Sequence, residues 1–274
     1  SSRKFANSKS FIIRVKKNRI KHIYTKEEIE RILLRFQNNT TFTCAFLTAC
    51  YTGMRTGEVF ALTWNDIDLK NRLIMINKTV YSKLKDEKGR WFLGTAKTEG
   101  SCREVYICDT LYKALCNYKK QQQLYKKKYG DNYKKYSLEQ IKNKYGKIVE
   151  NKIIESKYKN RNNVEMVFTR KNGSYAGTDV IKYPFKIIHH ELQIENCRFY
   201  DLRGSYATKC LRNGVEIKDV ADILGHKRIE TTENYYISST IEDIQKASAV
   251  LENIIQSDIT NKIINFEEFV KKVE

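Results

Sequence analysis

The sequence predicts an α+β protein that is mainly helical and has one small antiparallel β-sheet. Apolar residues recur with helical spacing over most of the chain, whereas the runs of β-forming residues that build the predicted sheet lie at 73–81, 91–93 and 105–107. Glycines and polar turn residues separate these runs, which favours antiparallel neighbours. With 274 residues, the chain can bury a substantial core in one large domain or two small ones.

The first predicted elements are helices with recognisable ends. Residues 1–23 are polar and basic with little periodicity, so they are expected to form a linker or tail. A capping box of Thr25 and Glu28 opens the first helix. A mostly apolar helix from Phe42 to Tyr51 follows, and such a segment should be buried.

An arginine opens the next predicted helix. Gly53 ends the apolar helix, and Arg55 precedes residues with helical spacing. Burying an arginine is costly unless an anion or a carboxylate meets it. Glu58, one turn away, can orient the Arg55 guanidinium and leave its remaining donors available; an ordinary surface Arg–Glu pair is the alternative.

The predicted sheet is followed by a helix and then by a segment of biased composition. Residues 119–163 are dominated by Lys, Tyr, Asn and Gln. Lysines interleaved with aromatics can follow a phosphate backbone, but the same composition suits a solvated helical insertion, and both interpretations stay open. Beyond it we expect a strand at 164–169, a turn at 171–173 and a helix at 179–192 that Pro184 interrupts.

The segment 198–237 has two helices and a cluster of reactive residue types. Arg203 lies on the first predicted helix, which ends at Asn213–Gly214. The second helix ends at Gly225, and His226 follows at once. Tyr235 comes nine residues later, on a further helix for which Thr231 is the predicted N-cap.

Composition indicates a nucleic-acid partner. The chain has 51 Lys and Arg against 32 Asp and Glu, a formal net charge of +19; a generally lysine-rich surface is the alternative. Seven cysteines form no CxxC pair, and neither histidine of 189–190 has ligands at metal spacing, so no disulfide, zinc site or cofactor is predicted. No signal peptide or membrane-length apolar stretch is found, and we expect a cytoplasmic protein without a membrane partner.

Three groups of motifs together resemble the catalytic domain of tyrosine site-specific recombinases, the phage-type integrases. They are TGMRTGE with LTWNDID at 52–68, KTEGSCR at 97–103, and DLR at 201–203 followed by LGH at 224–226, a Thr-Thr pair and a tyrosine. The resemblance implies that family's catalytic-domain fold. It also implies an active site of Arg55, Lys97, Arg203, His226 and Tyr235.

The chemistry of these residue types fits metal-free attack on a phosphodiester. Guanidinium groups match the non-bridging oxygens and stabilise charge in the transition state. Tyr235 is the expected nucleophile, favoured over Tyr236 by its spacing from His226. Lys97 is the expected general acid for the departing 5′ oxygen. His226 is expected to donate a hydrogen bond to the phosphate or to help transfer the tyrosine proton. The resemblance implies a 3′-phosphotyrosyl intermediate formed without metal or ATP.

Two positions depart from the family pattern. Tyr200 stands three residues before Arg203, where the family has a histidine, so we assign Tyr200 a positioning role at most. Its phenol can donate one hydrogen bond but cannot take up a proton at neutral pH. Gly204 replaces a second histidine that is common after this arginine.

The resemblance also implies organisation and partners. We expect a catalytic domain at 24–258 with an insertion at about 119–163, from an integrase of a phage or conjugative transposon, without the family's upstream helical domain. A last helix at 259–274 carries an apolar stripe that either folds back or docks on a neighbouring protomer. Expected partners are double-stranded DNA attachment sites, further copies in a tetramer on DNA, and accessory DNA-bending proteins.

Two alternatives use the same residues differently. A type IB topoisomerase-like enzyme would nick and close DNA with similar chemistry and no exchange of partners. A non-catalytic protein would use 202–224 as a helix-turn-helix, leaving Arg55, Lys97 and Tyr235 without a role.

Overall fold

The computed structural model describes residues 22–83, 91–95, 102–156, 163–226 and 231–232 of the chain. The helices of this part are α1 (Lys26–Arg35), α2 (Thr40–Thr52), α3 (Thr56–Ala61), α4 (Asp109–Tyr129), α5 (Lys182–His190), α6 (Asp201–Arg212) and α7 (Ile217–Leu224). Its strands are β1 (Ile67–Asp68), β2 (Leu73–Ile76), β3 (Lys78–Tyr81), β4 (Trp91–Thr95), β5 (Arg103–Tyr106), β6 (Lys135–Lys142), β7 (Ile148–Ser156) and β8 (Asn163–Val164). Every described strand pair is antiparallel, which confirms the predicted α+β class.

The described strands form two small antiparallel sheets, one more than the small sheet that the sequence predicted. The first has the order β1-β2-β5 and the second β3-β4-β7-β6-β8. The run 73–81 divides at Asn77 into strands that belong to different sheets. Strand β3 packs closely against α3: a Cβ on Gly57 would lie 2.4 Å from Thr79 Oγ1. This long-range contact cannot be read from the run itself.

The Lys/Tyr-rich segment is helical only at its start. Helix α4 ends at Tyr129, and Gly130, with φ of 52°, begins a 3₁₀ turn. Beyond it, β6 and β7 pair as a hairpin, and β7 also pairs with β4. The helical interpretation is therefore wrong for 135–156, where hydrogen bonds to a strand formed much earlier in the chain stabilise extended backbone.

Most helix ends lie where local chemistry predicts them. Thr25 and Glu28 form the capping box of α1. Gly53 and Gly225 end α2 and α7 in the left-handed conformation, with φ of 63° and 65°. Thr231 is already helical, so it is not the N-cap predicted for it.

Two predicted elements near 164–192 are shorter than expected. The strand is limited to Asn163–Val164, followed by isolated bridges at Met166 and Thr169. Pro184 does not interrupt α5: it lies in the first turn, where a missing N–H is tolerated, and a 3₁₀ turn at Thr178–Ile181 precedes the helix.

Contacts with the main hydrophobic core fix the position of the start of α6. The apolar face of α2 meets aromatic rings from several elements, among them Phe46 against Phe199. Tyr24 is fully buried; its backbone N–H donates to Ser205 Oγ (2.9 Å), and its hydroxyl donates to the Arg198 carbonyl (3.0 Å). A smaller apolar cluster joins α6 to α7. Together these contacts fix both helices relative to the end of α2.

Several predictions fall outside the described residues: Lys97, Tyr235, Tyr236, the tail up to residue 21 and the helix at 259–274. Within the described ranges, no helix has the length and apolar character needed to cross a membrane. The same ranges contain no group of three or more His, Cys, Asp or Glu side chains arranged to hold a metal ion.

Candidate active site

Arg203 is the most deeply buried member of the site. It lies in the first turn of α6 and is 1% exposed. Its Nη1 donates to the Gly53 carbonyl (2.8 Å) and its Nη2 to the Leu224 carbonyl (2.7 Å), so it joins the ends of α2 and α7. Its buried Nε has no hydrogen-bond partner among the described residues.

Burial makes Arg203 a weaker base than usual without discharging it. Burial lowers the pKa of Arg203 from 12.5 to about 10, and the positive charges of Arg55 and Arg103 act in the same direction, while Glu58 opposes them. The guanidinium therefore stays charged at neutral pH. A buried charge without a full set of partners gains strongly from a bound anion.

Arg55 is held at the start of α3 by Glu58. Its backbone N–H donates to Glu58 Oε2 (2.9 Å) and its Nη1 to Glu58 Oε1 (2.8 Å), as predicted. Its Nη2 lies 3.5 Å from the Gly225 carbonyl. The Arg55 side chain is 39% exposed, so it can meet a ligand from solvent.

Arg103, at the start of β5, is a third arginine of this cluster. Its Nη2 and Nη1 donate to the two carboxylate oxygens of Glu58 (2.8 and 3.3 Å), and its Nε donates to the Ile223 carbonyl (2.6 Å). The side chain is 7% exposed. The hairpin motif contained this arginine, but its role was not predicted, because it depends on a carboxylate 45 positions away.

Glu58 is the counter-ion that holds the arginines together. Burial, the largest single influence, raises its pKa, but hydrogen bonds and charge from Arg103, together with hydrogen bonds from Arg55, leave the pKa of Glu58 below its usual value. Two guanidinium groups thus bind one carboxylate, whose charge also acts on the third, that of Arg203, and the cluster keeps a positive excess. Such an excess suits a phosphate anion.

The three arginines meet the chain at consecutive carbonyls. Arg103 reaches Ile223, Arg203 reaches Leu224 and Arg55 approaches Gly225. The turn that ends α7 is therefore surrounded by guanidinium groups, and a Cβ at Gly225 would lie 3.2 Å from Arg103 Nη1. The predicted convergence of Arg55 and Arg203 is present, with the last turn of α7 as their common contact.

His226 follows this turn directly. Its backbone N–H donates to the Ala221 carbonyl (2.9 Å). Its Nδ1 shares a hydrogen bond with Thr232 Oγ1 (2.8 Å), and Thr232 is fully buried. The predicted His226 is thereby oriented from both sides, next to the carbonyls that bind the arginines.

Tyr200 stands at the N-cap of α6, just outside this cluster. It is 47% exposed, and its phenol is one of the groups that influence the pKa of Arg203. The positioning role of its phenol stays a prediction. Of the six predicted site residues, the structure brings Arg55, Arg203 and His226 together with Tyr200 at their edge; Lys97 and Tyr235 lie outside the described residues.

Comparisons with known proteins agree with this geometry. A model described as the phage integrase family matches residues 22–242. A XerC-like tyrosine recombinase of Caldanaerobacter subterraneus subsp. tengcongensis is 28% identical over 83% of this chain and 52% of its own length. The transposase of transposon Tn916 from Enterococcus faecalis is 25% identical over 81% of this chain and 49% of its own length. The chain thus spans about half the length of these relatives.

Solved structures share the fold. The Tn1549 transposon integrase, in complex with transposon right-end DNA, matches with a TM-score of 0.61 at 18% identity, over 86% of this chain and 67% of that one. XerA recombinase matches with a TM-score of 0.55 at 18% identity, over 83% of this chain and 64% of that one. The likeness shows that this chain has the α+β fold of a tyrosine recombinase catalytic domain.

Proposed function

Because the chain belongs to the phage integrase family, we propose that it cuts and rejoins duplex DNA at the attachment sites of a mobile element, a phage or a conjugative transposon. The observation that carries this proposal is the convergence of Arg55, Arg203 and His226 around the last turn of α7. A binding protein that only positions DNA has no need of a buried, positively charged cluster of this kind.

The proposed role of the arginines is to hold the scissile phosphate. Arg203 Nε is buried without a described partner, and a phosphate oxygen would supply one. Arg55 is exposed enough to bind a second non-bridging oxygen. Because these donors are already fixed by carbonyls and by Glu58, they would stabilise the transition state without reorganising.

The proposed reaction is a transesterification. The Tyr235 oxygen forms a bond to phosphorus while the bond from phosphorus to the 5′ oxygen breaks, leaving a 3′-phosphotyrosyl link and a free 5′-hydroxyl. Lys97 supplies the proton of that hydroxyl, and His226 either takes up the Tyr235 proton or, where water takes up that proton, donates a hydrogen bond to the phosphate. A partner 5′-hydroxyl reverses the step, so strand exchange needs no ATP, and guanidinium groups supply the charge that a metal would otherwise provide.

Partners and domain organisation follow the same reasoning. The Tn1549 integrase was solved with transposon right-end DNA and with circular-intermediate DNA, and we propose duplex DNA as the partner here. We further propose a homo-tetramer on DNA with accessory DNA-bending proteins. The proposed catalytic domain is 24–258, and 259–274 is proposed to pack either on its own body or on a neighbouring protomer.

A covalent-capture experiment tests the function with no target sequence chosen in advance. The protein is incubated with nicked duplexes that carry a randomised central region, so that cleavage releases a short strand and traps the tyrosyl link. We expect denaturation-resistant protein–DNA adducts whose sequences converge on a common site. The Tyr235→Phe variant should bind DNA and form none, whereas Tyr236→Phe should form them.

Two outcomes would contradict the proposal. An adduct formed by Tyr235→Phe would exclude the proposed nucleophile. Failure of the unaltered protein to form any adduct, despite binding DNA, would exclude the reaction itself. Relaxation of a supercoiled plasmid that lacks the captured site would instead favour the type IB topoisomerase-like alternative.

The helix-turn-helix alternative conflicts with the surface of α7. In such a motif the second helix faces the DNA major groove. The exposed side chains of α7 and its N-cap are three acidic residues and one lysine: Glu216, Lys218, Asp219 and Asp222. An outward face with net negative charge is repelled by the phosphate backbone. The site geometry therefore favours the enzyme over a non-catalytic binder.

A further inference from the structure

The hairpin formed by β6 and β7 ends in an exposed loop, residues 142–147, which we call the hairpin tip. Every residue of the tip is exposed, and Tyr145 is exposed by 79%. The tip projects past the last paired residues of β4, since Gly94 pairs with Glu150. The proposed chemistry at the arginine cluster gives this surface no role.

The tip has a defined conformation. Asn143 N–H donates to the Lys147 carbonyl (2.9 Å), and Gly146 N–H donates to the Asn143 carbonyl (3.0 Å). Asn143 Oδ1 also accepts from the backbone N–H groups of Tyr145 (2.9 Å) and Lys147 (3.1 Å). Gly146 has φ of 77°, which favours glycine there. The side chains of the tip are thus presented on an ordered turn.

The charges of the tip are all positive. It contains Lys142, Lys144 and Lys147 and no acidic residue. The carboxylate next to it in the hairpin, Glu150, is buried and is held by Lys83 and Tyr81. Lys144 Nζ lies 4.9 Å from the centre of the Tyr145 ring, within the range of a cation–π contact.

The strand register places the tip at the end of its own sheet that the chain joins to the first sheet. Glu150 pairs with Gly94, and Thr95 pairs with Lys78. Only Asn77 separates Lys78 from Ile76, which pairs with Arg103. At about 3.3 Å per residue, the tip extends on the order of 13 Å beyond Glu150. It therefore projects from the end of the second sheet that the chain enters directly after the Ile76–Arg103 pair of the first sheet.

We infer that the hairpin tip binds the phosphate backbone of duplex DNA beside the scissile phosphate. This inference rests on the proposed function and adds a second binding contact with the same DNA. The lysines supply charge that releases counterions, and the Tyr145 hydroxyl donates to a phosphate oxygen. Three positive charges without a carboxylate complement a polyanion better than they complement a second copy of this basic chain, whose formal charge is +19.

The inference is tested by equilibrium DNA binding of a triple variant, Lys142→Gln, Lys144→Gln and Lys147→Gln. The matched control replaces three other exposed lysines, Lys70, Lys182 and Lys186, by Gln. Both variants lose the same charge, and Lys70 lies at the opposite end of the first sheet from Arg103. Because all six side chains are exposed, thermal unfolding should be unchanged and serves to verify folding.

We expect the slope of log affinity against log salt to fall by up to about 2.7 for the tip variant, roughly 0.9 per lost phosphate contact, and affinity at about 0.1 M salt to fall on the order of 100-fold. For the control variant, the slope should change by less than about 0.9, the value for one phosphate contact. Tyr145→Phe should weaken binding several-fold with the slope unchanged, because it removes a neutral donor.

Adduct formation separates this inference from the proposed function. At saturating DNA the tip variant should still form the tyrosyl adduct, since the arginine cluster is intact. Equal salt slopes for the tip variant and the control would overturn the inference even if the enzyme is active. A loss of self-association in DNA-free protein, with DNA affinity retained, would also overturn it and would identify the tip as a contact between copies.

Discussion

Glu58 makes it possible for three arginines to lie together in one site. Guanidinium groups that bind the same carboxylate and consecutive carbonyls repel one another, and burial of Arg203 adds a desolvation cost. The Glu58 carboxylate accepts from the Arg55 guanidinium with one oxygen and from the Arg103 guanidinium with both, while carbonyls at the end of α7 accept further bonds from these two arginines. One buried carboxylate therefore determines how much positive charge remains for a phosphate.

Replacing Glu58 with Gln should destabilise the protein in a pH-dependent way. At pH 7 the variant leaves two arginines without their counter-ion, and the free energy of unfolding should fall by roughly 3–5 kcal/mol. The pKa of Glu58 is lower in the folded state than its ordinary 4.5, so its contribution is complete above that value and is lost as pH falls through the folded pKa. The difference between the two proteins should therefore shrink below about pH 4.5.

Urea unfolding at pH 7, 5, 4 and 3 measures this difference. Glu30→Gln is the matched control, because Glu30 is exposed and faces Lys26 at 3.8 Å on the surface of α1; it should change stability by at most about 0.5 kcal/mol at any pH. A difference for Glu58→Gln that stays constant across the pH range would show that its charge is not what stabilises the cluster.

At the scale of elements, the site depends on how closely α2 approaches α6 and α7. Gly53 makes this approach possible: a Cβ there would lie 2.6 Å from Leu224 Cδ2 and 2.8 Å from Tyr206 Cδ1. The same residue offers its carbonyl to Arg203. Gly53 thus ends α2, allows α6 and α7 to pack closely against that end, and accepts a hydrogen bond from the buried Arg203.

Gly53→Ala should destabilise the protein more than a comparable glycine substitution elsewhere. Gly214→Ala is the comparison, because Gly214 also has positive φ, of 83°, but has open space around it. Both variants carry the backbone strain of about 1–2 kcal/mol, and Gly53→Ala adds the displacement of Leu224 and Tyr206. We expect Gly53→Ala to lose at least about 1 kcal/mol more in denaturant unfolding and to form adducts more slowly. Equal losses would show that the helices can separate without cost.

Elements fixed by local chemistry were predictable from the sequence, whereas those fixed by distant partners were not. The capping box of α1 and the glycines that end α2 and α7 lie where predicted, because caps involve neighbours within one turn. The β6–β7 hairpin was not predicted: its Lys- and Tyr-rich composition carries no clear period, and β7 gains β4 as a partner only in the folded chain. Arg103 was missed for the same reason.

For the whole molecule, the central quantity is the excess of positive charge. The formal net charge is +19, and part of it is concentrated at the arginine cluster and the hairpin tip. A lysine-rich composition alone would distribute charge without regard to the site. In the described structure, Glu58 binds two arginines of the cluster, whereas Glu150, the buried carboxylate nearest the tip in β7, is bound by Lys83 and Tyr81 and leaves the tip lysines uncompensated.

Duplex DNA binding by the whole chain should therefore depend steeply on salt. Contact with 6–10 phosphates corresponds to a log–log slope of about −5 to −9 and an affinity loss of roughly 10³–10⁵ between 50 and 200 mM salt. The measurement uses Tyr235→Phe, so that covalent capture does not distort the equilibrium, and compares two unrelated duplex sequences. Because phosphate contacts carry no sequence information, both duplexes should give the same slope. A slope shallower than about −2 would mean that most of the positive charge never reaches DNA; the excess would then reflect composition alone, and the arginine cluster would have to bind its phosphate without help from the surrounding surface.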